Sequence, residues 1–110
     1  MAGKFEIFAD KAGASRWHLK AANGEVILAS QGYAAKSGAK HGVESVKANA
    51  PDDARYHRKK AKDGRDYFNL TSGNGEIIAT SQMYSSASAA EKGIASVKAN
   101  APDARVVDTT

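Results

Sequence analysis

Two short polar groups, Ser30-Gln31-x-Tyr33 and Ser81-Gln82-x-Tyr84, stand fifty-one residues apart and are the most suggestive side-chain sets in the chain. Each falls where a strand should hand over to a helix. A carboxamide, a hydroxyl and a phenol placed there could line a small polar pocket near a helix N-terminus, which favours anions. The structural alternative is simpler and is preferred. In it Tyr33 and Tyr84 pack beneath the helix starts, and Ser30, Gln31, Ser81 and Gln82 satisfy loop backbone groups. Glu25 and Glu76 also occupy equivalent positions, each after an Asn-Gly pair. A pseudo-two-fold could bring them together as the paired carboxylates of glycoside hydrolysis, but each more simply flanks a turn in water. The histidines His18, His41 and His57 share no metal-ligand spacing such as His-x3-His. There is no Gly-rich phosphate loop with its lysine and no Gly-x-Ser-x-Gly elbow. These residues assign no catalytic, metal or cofactor-binding role, and no cofactor is expected.

Charge gives a different kind of clue. The chain carries a net +4, yet Arg55, Arg58, Lys59, Lys60, Lys62 and Arg65 oppose only Asp63 over eleven residues. That segment holds +5, so the remainder sums to −1. In a strand Arg55, His57 and Lys59 share one face, and Tyr56, Arg58 and Lys60 the other. With helices on one side of a sheet, the open side would show His57 and Lys59 with Arg16, His18, Lys20 and Tyr67. A basic sheet face interleaved with aromatics is one way to hold single-stranded nucleic acid. Charged residues also guard sheet edges against unwanted pairing. A nucleic acid or other polyanion is therefore the partner class that Arg55, His57, Arg58, Lys59, Lys60, Lys62 and Arg65 suggest, with a solvated edge as the plain alternative.

The elements that must position these groups are repeated. Shifting the chain by fifty-one residues lays Asn23–Asp52 on Asn74–Asp103 with eighteen of thirty positions identical. Two copies are too few for a solenoid, so a closed pseudo-two-fold pair is expected. Asn23-Gly24 and Asn74-Gly75 predict two-residue hairpins of type I′. Trp17 and Leu19 alternate with Arg16, His18 and Lys20, and Phe68 and Leu70 with Tyr67, Asn69 and Thr71, as in half-buried strands. Val26–Ala29 and Ile77–Thr80 are apolar on both faces, as in enclosed strands. Ala35, Ala39, Gly42, Val43, Val46 and Ala50 recur at helical spacing, as do Ala90, Gly93, Ile94, Val97 and Ala101. Ser85 or Ser86 suits the second N-cap, with Ser88 and Glu91 as an alternative capping box. Pro51 and Pro102 end the helices, and strands over Ala54–Lys60 and Ala104–Asp108 should follow.

Each unit thus reads as β3-α-β. One unit alone has too little core for about fifty residues. The expected architecture is α+β: one domain over 1–110 made of repeats 1–53 and 54–110, forming one antiparallel-rich sheet with both helices on one face. The duplicated chain supplies both halves, so a monomer is expected, with exposed edge strands leaving a dimer open. Cysteine is absent, the N-terminus has no apolar h-region, and no segment approaches a membrane span, so a soluble, cytoplasmic protein without a membrane partner is expected.

Ala21–Glu25, Ser30–Tyr33 and Gly42–Lys47, with their second-copy counterparts Asn74–Glu76, Ser81–Tyr84 and Gly93–Lys98, resemble the YegP-like family of small bacterial proteins. The resemblance spans essentially the whole chain. It implies two β3-α-β motifs in one sheet with C-terminal strands swapped between repeats. That family carries no assigned activity, so no catalytic residue transfers. The basic Arg55–Arg65 segment departs from the first copy, which has Phe5, Ile7 and Phe8 there. The expected function is a small non-enzymatic binding or interaction domain. The alternatives are polyanion binding through residues 55–65, or a small-ligand protein or enzyme built on the Ser-Gln-x-Tyr corners.

Overall fold

A computed structural model describes residues 3–110. Its strands are β1 (Lys4–Ala9), β2 (Ser15–Lys20), β3 (Val26–Ala29), β4 (Tyr56–Lys60), β5 (Asp66–Thr71), β6 (Ile77–Thr80) and β7 (Arg105–Asp108). The helices are α1 (Lys36–Asn49) and α2 (Ala87–Asn100). The strands form one mixed α+β sheet in the order β4-β5-β6-β3-β2-β1-β7. All neighbours are antiparallel except β1 and β7, which run parallel. The strand after α1 pairs in the second half of the sheet, and the strand after α2 pairs with β1 in the first.

The alternation of large apolar residues sets one sheet face. Phe5, Ile7, Trp17, Leu19, Leu28, Phe68, Leu70 and Ala79 are buried in a single cluster with Ala39, Val43 and Val46 of α1 and Ile94 and Val97 of α2. Both helices therefore cover the same face. Burial of each large side chain supplies on the order of 1.5–3 kcal/mol. Phe5 and Trp17 add an edge-to-face contact at 5.4 Å. Along the seam, β3 and β6 are paired through Ala29 and Thr80. Helix α1 lies over β2 and β6 and α2 over β5 and β3, so the helices bridge a junction that backbone pairing holds only narrowly.

The hairpins differ from expectation in their turns. Gly24 and Gly75 have φ 88° and 87°, and among the described residues no other type has positive φ, so Asn23 and Asn74 cannot sit in a type I′ turn. Gly24 N–H instead donates to Ala21 O at 2.9 Å and Ala21 N–H to Glu25 O at 2.8 Å. This is a type I turn closed by a left-handed glycine, which leaves the asparagine in a conformation any residue adopts. The asparagine side chains close the loops from inside, accepting from Glu25 N–H at 3.0 Å and Glu76 N–H at 3.1 Å. The loops before β2 and β5 repeat this pattern at Gly13 and Gly64.

The apolar runs of β3 and β6 have a local cause. Register shifts opposite Leu19/Lys20 and Leu70/Thr71 mark bulges, and in β3 Ile27 and Leu28 are both buried; β6 is not the enclosed strand its apolar run suggests, since Ile78 is only partly buried and Ile77 is exposed. The strand expected from Ala54 begins at Tyr56, because Asp52 caps a 3-10 turn over Asp53–Arg55 by accepting from Ala54 N–H. Among the serine options Ser86 caps α2, accepting from Ala89 N–H at 3.1 Å, whereas α1 starts at Ala35 without a side-chain cap.

Candidate functional site

The basic segment is extended as expected but largely neutralised. Arg58 forks onto Glu91 of α2, with Nε to Oε2 at 2.6 Å and Nη2 to Oε1 at 3.0 Å, and also reaches Asp53 at 3.3 Å. It further donates to Tyr56 O at 3.5 Å, so its guanidinium lies along the free edge of β4. Arg55 meets Asn49 at 3.2 Å and Asp52 at 3.5 Å, Lys60 meets Asp66 at 3.1 Å, and Arg65 meets Asp63 at 2.7 Å. The Arg58 guanidinium holds Glu91 below the usual carboxylate range. Lys98 first, then Arg58, does the same to Asp53. Among the described residues, His57, Lys59 and Lys62 have no ion-pair partner within the basic segment.

The uncovered sheet face does carry His18, Lys20, Arg16, His57, Lys59 and Tyr67, as the registers show. Glu6 gathers three side chains, meeting His18 Nε2 at 2.6 Å, Lys20 Nζ at 3.1 Å and Lys4 Nζ at 3.3 Å. These contacts, His18 foremost, lower its carboxyl to about 2. Arg16 is held by Asp10 at 2.6 Å. Phe8 tilts against His18 at 5.0 Å.

At the Ser-Gln-x-Tyr corners the serines are structural. Ser30 Oγ accepts from Trp17 N–H at 2.9 Å and donates to Gln31 O at 2.8 Å. Ser81 repeats this with Phe68 N–H at 3.0 Å and Gln82 O at 2.8 Å. The tyrosine backbones bridge to Ser15 and Asp66. Their rings slide beneath the helices where Gly42 and Gly93 leave room. A Cβ at Gly42 would meet Tyr33 Oη at 2.5 Å, and one at Gly93 would meet Tyr84 Cζ at 2.6 Å. The small-residue helix stripe is thus a seat for the tyrosines. Gln31 and Gln82 remain exposed.

The tertiary fold brings each corner to the hairpin turn of the other repeat. One cleft of about 280 Å³ joins Gln31, Tyr33, His41 and Ser45 to Asn74 and Glu76. Its counterpart, about 200 Å³, joins Gln82, Tyr84, Lys92 and Ser96 to Asn23 and Glu25. Both run along a helix flank. Glu25 and Glu76 therefore lie in separate clefts and do not form a carboxylate pair. Among the described residues the buried Tyr84 hydroxyl finds no hydrogen-bond partner. Burial pushes its phenol up, the Gln82 side chain works against this, and the Glu25 carboxylate adds to the rise. Ser45, Ser96, His41 and Lys92 were not grouped with the corners by sequence reasoning. The recurrence of Gln, Tyr, Gly, Ser, Asn and Glu in both copies was the available signal. Among the described residues no group of three His, Asp or Glu side chains converges as a metal site, and no helix is long and apolar enough to cross a membrane.

Comparison with known proteins agrees with this architecture. Residues 10–56 and 61–108 each match the domain of unknown function DUF1508. The "UPF0339 protein in ptx operon 5'region" of Stutzerimonas stutzeri is 57% identical over 108 residues, covering 98% of this chain and 97% of that protein. YegP of Escherichia coli K12 is 47% identical over the full length of both. The solution NMR structure of E. coli YegP superposes with a TM-score of 0.94, covering 100% of this chain and 95% of that one. The solution structure of a UPF0339 protein from Shewanella oneidensis, 46% identical, gives 0.92 over 98% of this chain and 92% of the other. Two matched segments, full-length relatives and superposable solution structures place the chain in the DUF1508 family of UPF0339, YegP-like proteins.

Proposed function

We propose that this protein is a non-enzymatic binding domain that takes a small polar ligand in each of the two clefts between its repeats. The observation that carries this reading is the matched composition of the clefts. Gln31 and Gln82, Tyr33 and Tyr84, Ser45 and Ser96, and Glu76 and Glu25 recur at equivalent places. A carboxamide both donates and accepts, a carboxylate accepts, and a phenol or hydroxyl does either. Such a set suits a neutral molecule rich in hydroxyl or amide groups. At roughly 30 Å³ per water, the clefts correspond to about seven to nine waters, the scale of a monosaccharide or amino-acid side group. One carboxylate per cleft, with a histidine in only one of two otherwise matched clefts (His41 against Lys92), supports binding over turnover.

The reading is tested by amide NMR with a panel of monosaccharides, polyols and amino acids. A binder should shift Gln31, Ser45 and Glu76 together with Gln82, Ser96 and Glu25, and fit two sites per chain. The double variant Gln31→Ala, Gln82→Ala should lose it. Shifts elsewhere, binding that survives the double variant, or no binder in the panel would overturn it. The basic segment supports a nucleic-acid reading less well, since Arg55, Arg58, Lys60 and Arg65 are each already met by a carboxylate.

A further inference from the structure

We propose that the corner formed by the start of β1, the end of β2 and the start of β7 is a site for a phosphate group, built from Lys4, Lys20 and Arg105. The registers place Lys4 directly opposite Lys20 and beside Arg105, so three cations lie in one row on one sheet face. Like charges directly opposite one another in a sheet are destabilising. Glu6 relieves only part of this, since one carboxylate serves both lysines and His18. Arg105 is exposed, and among the described residues no ion pair involves it.

The row borders an open cavity of about 550 Å³ that Ala21, Ala22 and Gly24 of the turn after β2 also line. Gly3 fixes its inner wall. A Cβ there would run into the Lys20 carbonyl and stand 3.0 Å from its carbon, so the entry of β1 is pressed against the exit of β2. That contact holds the two lysines side by side. Among the described residues Asp103 is the one carboxylate lining the cavity. Counting Lys4, Lys20 and Arg105 against Glu6 and Asp103 leaves +1, and a phosphate brings the missing negative charge. Arg105 offers a planar fork and the lysines offer mobile point charges, the division of labour seen in phosphate recognition. At roughly 30 Å³ per water the cavity holds about eighteen waters' worth of space, so the phosphate has room to arrive attached to a larger group.

The second repeat has no such corner. Positions equivalent to Lys4 and Lys20 are Arg55 and Thr71, and Arg55 is paired with Asp52. One site per chain is therefore expected, in contrast to the two clefts of the proposed function, and either proposal can fail without the other.

The test is an amide NMR titration of the full chain with inorganic phosphate, with adenosine monophosphate and with a single-stranded oligonucleotide, each against sodium chloride of equal ionic strength. Shifts at Lys4, Ala21–Gly24 and Arg105 that chloride does not reproduce, with one-site stoichiometry, are expected. Arg105→Gln should weaken binding by about tenfold, the loss of one charged hydrogen-bonding partner, and Arg105→Lys should keep part of it. Arg105 is exposed, so an unchanged melting temperature will show that the variant is folded. Tighter binding of the monophosphate identifies a small phosphorylated ligand, and tighter binding of the oligonucleotide at the same amides identifies a nucleic-acid backbone. No specific shift with any of the three probes, or affinity unchanged in a folded Lys20→Gln, Arg105→Gln variant, would overturn the proposal.

Discussion

The two ends of the sheet occupy equivalent places in the repeat but handle positive charge differently. At the β1–β2 end Lys4 faces Lys20 beside Arg105, and the shared counterion is Glu6. At the β4–β5 end Arg55 is met by Asp52 and Asn49, and the lysine opposite is replaced by Thr71, whose hydroxyl donates to Arg55 O at 3.0 Å. Farther along that edge, Arg58 is neutralised by Glu91, thirty-three positions away, and by Asp53. The end that is richest in cations by sequence thus gives Arg55, Arg58, Lys60 and Arg65 separate carboxylates, whereas Lys4 and Lys20 share one. Availability of a charge depends on which acids the fold delivers, not on local density.

Exchanging residues between the two ends gives the largest expected effect. Thr71 is only 5% exposed, so Thr71→Lys must fit a longer cationic side chain into a buried position and give up the bond to Arg55 O. A loss of about 1–3 kcal/mol is expected. The reverse exchange, Lys20→Thr at a partly exposed position, should cost less than about 1 kcal/mol. Urea unfolding of both variants measures the contrast, and equal losses would erase it.

The next effect is on acid stability. The Glu6 carboxyl falls from its ordinary 4.5 to about 2 in the folded protein. A depressed folded value means that its stabilisation is complete above the ordinary value and is lost as pH falls from there toward 2. Thermal midpoints measured across that window should therefore drop, and Glu6→Gln should flatten its part of the slope. An unchanged slope would show that the cations around Glu6 do not depend on it.

Smaller again is Arg58→Ala. Its side chain is 41% exposed, which limits each ion pair, but it serves Glu91, Asp53 and Tyr56 O together. A loss of about 1 kcal/mol by chemical unfolding is expected. Replacing Lys59 and Lys62 by glutamine should change stability by no more than about 0.5 kcal/mol. A larger change would show that the exposed basic side chains have partners in the folded chain.

Much of the architecture was legible because it depends on periodicity. The alternation around Trp17, Leu19, Phe68 and Leu70 marked the strand face turned to the helices, and the small residues at helical spacing marked two helices, but Asn69 and Thr71, expected to face outward, are buried as well. The turns were located by Asn23-Gly24 and Asn74-Gly75, but their type was not. A glycine in the left-handed region can close either a two-residue turn or the longer one adopted here, and the dipeptide does not distinguish them. Tyr33 and Tyr84 pack against the core while also lining the clefts. Their placement against Gly42 and Gly93 required the helix to lie across the sheet.

The sequence by itself determined the duplication, the β3-α-β order of each unit and the identity of the side chains in the core, since these follow from local pattern and from the need to bury apolar surface. It also placed Gln31 and Gln82 at strand-to-helix corners. Only the tertiary structure decided that each corner meets the other repeat's Glu76 or Glu25, that acids from α2 and the 3-10 turn quench Arg58, and that β7 sets Arg105 beside Lys4. Those outcomes join residues far apart in the chain. Periodicity reports which face a side chain takes, while strand order and helix placement decide what stands opposite it.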